Sequence, residues 1–261
     1  MKKGATDLVL ASALWGTIGI AVQLAGNPFQ VVLFRNLTAT VLTFNHLKRA
    51  LNPLPVLMGL IASLEYEAYF FTIDVMGASL ASVFLYTAPI WVALLSPLLR
   101  EEVNLRKWAA VMISFTGVYL IYYSRVPLSS LGLGLITGLS FAGVILFSRF
   151  MQLKGYRDYE IVAFQSAWGS VFSLPFLVLS PRLSVGSMLA GAYLGFVASY
   201  IAYYLFYRGM RLSDSVTAAV VSSLEPVFTM LFAVIILHQV LTPMQYLGSS
   251  LVVVGSALVT A

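Results

Sequence analysis

The sequence has no cysteine. Disulfides, thiolate metal sites and cysteine nucleophiles are therefore excluded. Histidine is nearly absent, with His46 and His238 alone. Asp, Glu, Lys and Arg make up 10% of the 261 residues, against about 25% in an ordinary soluble domain. There is no nucleotide-binding loop, and no connection is long enough to hold a soluble domain. The alternating ten-residue segments of a membrane barrel are missing too. What is present is apolar. Hydrophobic residues form 60% of the chain, in recurrent runs of about 20 residues, each long enough to cross a bilayer. The fold class is an all-α polytopic membrane protein.

Ten transmembrane helices are predicted at about 5–24, 29–48, 54–75, 79–100, 105–123, 131–152, 158–180, 187–208, 214–237 and 242–260. They are joined by short breaks such as Gly26-Asn27-Pro28, Asn52-Pro53-Leu54-Pro55, Arg125-Val126-Pro127 and Ser180-Pro181-Arg182. Met1-Lys2-Lys3 imitates the start of a signal peptide, but the first run lacks a clear cleavage site and reads as a retained helix. Lys2, Lys3, Lys48, Arg49, Arg100, Arg106, Lys107, Arg149, Lys154, Arg157, Arg208 and Arg211 fall at one set of span ends. Arg125 and Arg182 alone fall at the other. Lys and Arg collect on the cytoplasmic side. The expected placement is a multi-pass protein of the cell (plasma) inner membrane with both termini cytoplasmic. The net charge of +5 is thereby explained by topology, and no nucleic-acid partner is expected.

The chain also repeats. Gly59, Ser63, Phe70 and Phe71 return as Gly195, Ser199, Phe206 and Tyr207. Pro89 returns as Pro226, and Gly117 and Leu120 as Gly255 and Leu258. The offset is 136 to 138 residues. Each half holds five spans, an odd number, so the second copy must run upside down relative to the first. The predicted division is 1–124 and 125–261 within one integrated membrane domain. Inverted repeats of this kind build secondary transporters, with the substrate site near the midplane between the halves.

In order and spacing, a series of short motifs resembles the EamA-type branch of the drug/metabolite transporter superfamily. They are Leu14-Trp15-Gly16, Phe34-Arg35, Ala81-Ser82 and Ala88-Pro89, then Ala218-Ala219, Leu224-Glu225-Pro226-Val227-Phe228, Leu241-Thr242-Pro243 and Gly248 through Gly255. The resemblance covers nearly the whole chain. It implies ten spans in two inverted five-helix repeats. It also implies transport of small metabolites, often amino acids or related compounds, and frequently export. One departure stands out. The family often has a Glu at the ends of the fourth and ninth spans. Glu101-Glu102 keeps it in the first copy, whereas the second reads His238-Gln239.

The polar residues inside the apolar runs are the candidates for function. Pro226 removes a backbone donor and crowds the Ser222 carbonyl, and lipid cannot satisfy that carbonyl. Pro89 and Pro226 are expected to kink spans 4 and 9 and shape a cavity, with a packing kink as the alternative. Intramembrane carboxylates face a bundle interior or a wet cavity. Glu225 is a substrate or proton residue on that ground, or else a lock on span 9. Glu65 and Glu67 lie two positions apart, about 200° around a helix, and cannot share a face. Glu67 aligns with the small-residue stripe of Gly59 and Ser63, and Glu65 with Tyr69 and Thr72. Glu65 is therefore the expected cavity residue and Glu67 the structural ion partner. An unpaired arginine within a span is improbable, so Arg35 is expected to contact Glu67 or Glu65, or to bind a substrate carboxylate.

Trp15, Tyr66, Tyr69, Tyr86, Trp91, Tyr200, Tyr203 and Tyr207 surround the expected cavity. Tyr200, Tyr203 and Tyr207 follow helical spacing. Such rings suit amphipathic or aromatic substrates, including cations through cation–π contact, while for any single ring bundle packing is the stronger reading. His46, His238, Trp108, Trp168, Tyr122 and Tyr123 read as interfacial.

The expected function is a secondary transporter working by alternating access at a midplane cavity. Its substrate-binding residues are Trp15, Glu65, Tyr69, Tyr86, Pro89, Tyr200, Tyr203, Glu225 and Pro226, with Arg35 and Glu67 as a structural ion pair. No catalytic residue, metal or cofactor is expected. The expected partners are a small-molecule metabolite and the lipid bilayer, with protons as a candidate coupling ion, and the chain is expected to be a monomer. The alternatives are a membrane sensor or receptor for a small hydrophobic ligand, and an intramembrane enzyme. The two span-end histidines and the absent cysteine argue against the enzyme.

Overall fold

The computed structural model describes residues 3–23, 27–123, 131–179, 183–238 and 240–261. Lys2, Gly26, Arg125-Val126-Pro127, Ser180-Pro181-Arg182, Gln239 and the division at 124/125 lie outside the described residues. Among those described there is no strand. Seven helices are long and apolar enough to cross a membrane.

Span 1 is α1 (Ala5–Trp15) followed by α2 (Ile18–Gln23), and span 2 is α3 (Pro28–Leu42). Span 3 is the unbroken α4 (Pro53–Met76). Span 4 is α5 (Ala78–Leu85), α6 (Ala88–Leu95) and a 3-10 turn, Ser96–Leu99. Span 5 is α7 (Leu105–Ile121), which closes the first half. The second half begins with α8 (Leu131–Leu153) as span 6, and α9 (Asp158–Ser173) with its 3-10 extension Leu174–Leu179 as span 7. Span 8 is α10 (Val185–Leu194), a π-helical stretch Gly195–Ala202, and α11 (Tyr203–Arg211). Span 9 is α12 (Ser215–Ser222) and α13 (Glu225–Leu237), and span 10 is α14 (Pro243–Thr260).

Local chemistry sets many of these ends. Asn104 caps α7 by accepting from the Lys107 N–H at 3.0 Å. Asp214 caps α12 through Thr217 N–H at 2.8 Å, and Thr242 caps α14 through Gln245 N–H at 3.3 Å. Each side chain satisfies one of the orphan donors at a helix start. Asn104 and Thr242 occupy the same place in the two halves. So do Arg100 and His238, which end spans 4 and 9 with positive φ of 61° and 52°.

The proline spans are interrupted at matching positions. Span 4 breaks at Tyr86-Thr87, just before Pro89, and span 9 at Ser223-Leu224, just before Pro226. The gaps are filled from crossing spans. At the span 9 break the Ser12 hydroxyl donates to the Val221 carbonyl at 3.0 Å. At the span 4 break a Cβ on Gly138 would lie 1.9 Å from Thr87 Oγ1, so only glycine fits. Span 1 was expected as one helix, but it breaks at Gly16-Thr17. Gly16 is pressed against span 9, where a Cβ would meet Phe228 Cβ at 2.7 Å.

Spans 5 and 10 cross backbone to backbone. A Cβ on Gly117 would lie 2.6 Å from the Gly248 carbonyl oxygen, and one on Gly248 2.5 Å from that of Gly117. Small residues allow this approach in a membrane, where association depends on packing rather than on the hydrophobic effect.

Both chain ends sit at one end of the bundle, here the terminal end. Gly4 packs on Gly209, Asp7 pairs with Arg208 at 3.2 Å, and Arg106 Nε donates to the Leu258 carbonyl at 2.8 Å. Three further ion pairs gather there: Arg149–Glu101 at 2.7 Å, Lys107–Asp214 at 3.3 Å and Arg211–Asp158 at 2.9 Å.

Candidate functional site

A cavity of about 330 Å³ lies between the two halves. Spans 1, 3, 4 and 9 supply most of its wall, and span 8, expected among the main contributors, adds Tyr203. Its charged groups, Arg35, Glu65 and Glu225, come from the middle of spans 2, 3 and 9. The wall then continues through Ile18, Val22, Ile73, Ser79, Tyr122 and Thr229. All six lie in the halves of their spans remote from the terminal end, so the cavity extends toward the far end.

Arg35 sets the character of the site. It is 6% exposed, and its Nε donates to Ser199 Oγ at 2.6 Å. Its guanidinium carbon lies 4.6 Å from the Tyr66 ring centroid and 6.0 Å from that of Tyr203. A planar, weakly hydrated guanidinium suits such stacking. Among the described residues no carboxylate oxygen comes within 4.0 Å of Arg35. Glu65 and Glu225 act on it only at longer range. The Glu65 Oε2 atom is buried and has no hydrogen-bond partner. Arg35 can therefore offer its guanidinium to a bound anion, with the Glu65 and Glu225 carboxyls lining the same cavity.

The aromatic frame is fixed from behind. Tyr66 OH accepts from Gln165 Nε2 at 2.8 Å, and the Gln165 Oε1 atom accepts from Tyr207 OH. The Tyr207 carbonyl in turn accepts from Gln152 Nε2 at 2.7 Å. Trp15 Nε1 donates to the Ala198 carbonyl at 2.9 Å, and its ring packs edge-on to Tyr203 with centroids 5.0 Å apart. Tyr69 and Ser82 share a hydroxyl contact of 3.2 Å across spans 3 and 4.

Of the residues singled out in the sequence, the structure brings Trp15, Glu65, Tyr69, Tyr203 and Glu225 together on the cavity wall. Tyr86 is buried beside the Glu225 carboxyl but closes no hydrogen bond with it. Pro89 and Pro226 stand behind the wall, at the starts of α6 and α13. Tyr200 does not join Tyr203. It stacks on Phe196, with ring centroids 6.3 Å apart. The α-helical spacing assumed for these tyrosines fails because Tyr200 lies in the π stretch, where i→i+5 winding changes the angle between successive residues.

Two other assignments change. Arg35 and Glu67 form no ion pair. Glu67 sits on the opposite face of α4 from Glu65 and approaches Ser173 of α9 instead. Tyr122, expected at the membrane interface, lines the cavity. Its place at the end of an apolar span is the same in either setting, so the sequence carried no signal to separate them. Ser82, Phe141 and Thr229 also line the wall. Their residue types are too common in apolar helices to have marked them.

A repeated bundle of broken apolar helices around a midspan charged cavity defines a class: multi-pass helical membrane proteins built from two copies of one unit. Comparison with known proteins gives the family. The EamA-like transporter family matches twice, over residues 2–123 and 128–261, and the chain belongs to it. An uncharacterized transporter of Archaeoglobus fulgidus is 28% identical over 98% of this chain and 95% of its own length. An uncharacterized inner membrane transporter of Salmonella typhimurium, YicL, is 23% identical over 99% and 95%. A solved crystal structure superposes with a TM-score of 0.82 at 19% identity, covering 98% of this chain and 96% of the other.

Proposed function

We propose that this chain is a secondary transporter for small amphipathic metabolites, amino acids or related aromatic compounds, and that it exports them. The observation carrying this reading is Arg35: a buried guanidinium with no carboxylate oxygen within 4.0 Å among the described residues, lining one cavity with Glu65 and Glu225. A molecule bearing a carboxylate and an ammonium group complements both signs, and Trp15, Tyr69 and Tyr203 offer apolar faces to the rest of it. The transporter family gives the general role.

In this reading the two halves rock against each other around the cavity. The far end is open, and the ion pairs of the terminal end hold the other side shut. The chain is placed in the inner membrane with both termini cytoplasmic, acts as a monomer, catalyses no reaction, and draws on a gradient in which protons are the candidate ion. The native sequence has no cysteine, so single introduced cysteines at Lys3 and Tyr246 can report orientation through a membrane-impermeant thiol reagent.

The deciding experiment is flux into liposomes holding the purified protein, screened over labelled amino acids and hydrophobic amines, with and without a pH gradient. Saturable flux abolished by Arg35→Gln supports the reading. Binding without flux would make the chain a sensor instead. Flux indifferent to every pH gradient would remove proton coupling through Glu65 or Glu225.

A further inference from the structure

A second polar site lies outside the cavity, where spans 2, 3 and 7 meet. Its groups are Asn36 on α3, Glu67 on α4 and Ser173 on α9. They are 0%, 5% and 1% exposed. Both Glu67 carboxylate oxygens, both polar atoms of the Asn36 amide and the Ser173 hydroxyl are buried without a hydrogen-bond partner. None of the three residues lines the cavity. Unpaired polar atoms are rare in protein interiors, and here five fall on three neighbouring side chains.

The three side chains lie on helix faces that meet in the gap between spans 2, 3 and 7. Phe29, Phe71 and Phe176 come from the same three spans and touch each other. Phe29 lies 6.0 Å from each of the other two, edge-on to Phe71 and stacked on Phe176. Asn36 is seven positions from Phe29, Glu67 four from Phe71, and Ser173 three from Phe176. Each of these spacings returns a side chain to the same helix face. The polar groups therefore lie on the faces that meet at the phenylalanines, one or two turns toward the terminal end. Two contacts agree with this. The Asn36 amide stands over Gly169, where a Cβ would lie 3.0 Å from Nδ2, and Glu67 approaches Ser173 one turn further on.

We propose that this gap binds a single sodium ion. Four of the five atoms are oxygens that can ligate a cation, two from Glu67, one from Ser173 and the Asn36 carbonyl, while the Asn36 amide nitrogen takes no part. Hard cations prefer such a set. Glu67 brings one negative charge with no cationic side chain within 4.0 Å among the described residues, and a buried charge needs a partner. One monovalent ion neutralises it. A divalent ion would leave a positive charge in an apolar interior. A proton on Glu67 would neutralise the charge as well, so competition between sodium and protons at the site decides between the two. The phenylalanines separate the site from the far end, and Gly169 gives the space between α3 and α9.

The test is equilibrium binding of radioactive sodium to purified protein at fixed pH, with potassium and choline as replacement cations. The expected result is saturable binding of one ion per chain. Glu67→Gln should abolish it, Ser173→Ala should weaken it at least about tenfold, and Glu102→Gln should leave it unchanged. If Glu67→Gln does not fold, Ser173→Ala decides. No saturable sodium binding, binding undiminished in the variants, or proton release on acid–base titration that sodium does not compete with would overturn the proposal. The measurement needs no transported substrate, so the site can stand or fall independently of the transport reading.

Discussion

Arg149 donates from Nε to Glu101 Oε1 at 2.7 Å, while the other Glu101 oxygen accepts from the Ser215 N–H at 3.0 Å. One carboxylate at the end of span 4 thus ties the first half to spans 6 and 9 of the second. It also satisfies a free donor at the start of α12, where an anion is favoured by the helix dipole. The matching position after span 9 is preceded by His238 and holds a glutamine in the sequence, so the second copy has no acid to repeat the tie. Glu101→Gln removes the charge but keeps the shape. We expect a loss of about 1–3 kcal/mol in stability, read as an earlier denaturation midpoint. A single cysteine at Ser148 should also label faster from the terminal side. A labelling rate equal to that of the parent would show that the tie does not hold this end shut.

The Gly117–Gly248 crossing should tolerate no side chain. Gly248→Ala would place a Cβ 2.5 Å from the Gly117 oxygen and 2.9 Å from Ile121 Cγ1. Overpacking of this kind costs about 1–3 kcal/mol. Gly143→Ala meets only Ile61 Cγ2 at 3.4 Å and should be close to neutral. Thermal unfolding in detergent compares the two, and equal melting temperatures would refute the steric argument.

Arg35 is expected to be irreplaceable by lysine. An ammonium keeps the charge but loses the planar fork and the stacking on Tyr66. Arg35→Lys should raise the half-saturating substrate concentration at least tenfold in a flux assay, by about 1.4 kcal/mol. Arg35→Gln should also leave Glu65 without its compensating charge. In a double-mutant cycle with Glu65→Gln, a coupling of about 0.5–3 kcal/mol is expected. Additive effects would mean that the two groups do not sense each other.

Tyr66 separates stability from binding. Tyr66→Phe keeps the ring beneath Arg35 but strands the Gln165 amide that now donates to it at 2.8 Å. A buried donor left unsatisfied costs about 1–3 kcal/mol. The melting temperature should fall while substrate affinity stays within about twofold, since the cation–π contact survives. Loss of affinity without loss of stability would place the hydroxyl itself in the binding site.

Much of this architecture was legible because a membrane restricts what a sequence can do. Apolar runs, short breaks and the paired prolines gave the spans and the repeat. Glu65 and Glu67 were separable because a helix turns about 200° over two residues. What was hidden depended on contacts between spans. Nothing in the sequence shows Ser199 meeting Arg35, because it is brought there from 164 positions away. At Gly16 a weak helix former coincides with a close approach of Phe228, and only the first of these is written in the local sequence. Tyr200 was misplaced because π winding has no strong local signature.

That winding has a mechanical consequence. Span 8 is pinned on both sides of the π stretch. Toward the far end Gly191 seats against Phe34, and toward the terminal end Gly209 seats against Leu8. Between these anchors the helix is wound i→i+5 rather than i→i+4. Rewinding it i→i+4 would turn Ser199 about the helix axis relative to the guanidinium that it holds, and would turn one anchor relative to the other. A change of winding in span 8 would therefore couple the Arg35 contact to the seating of both glycine anchors.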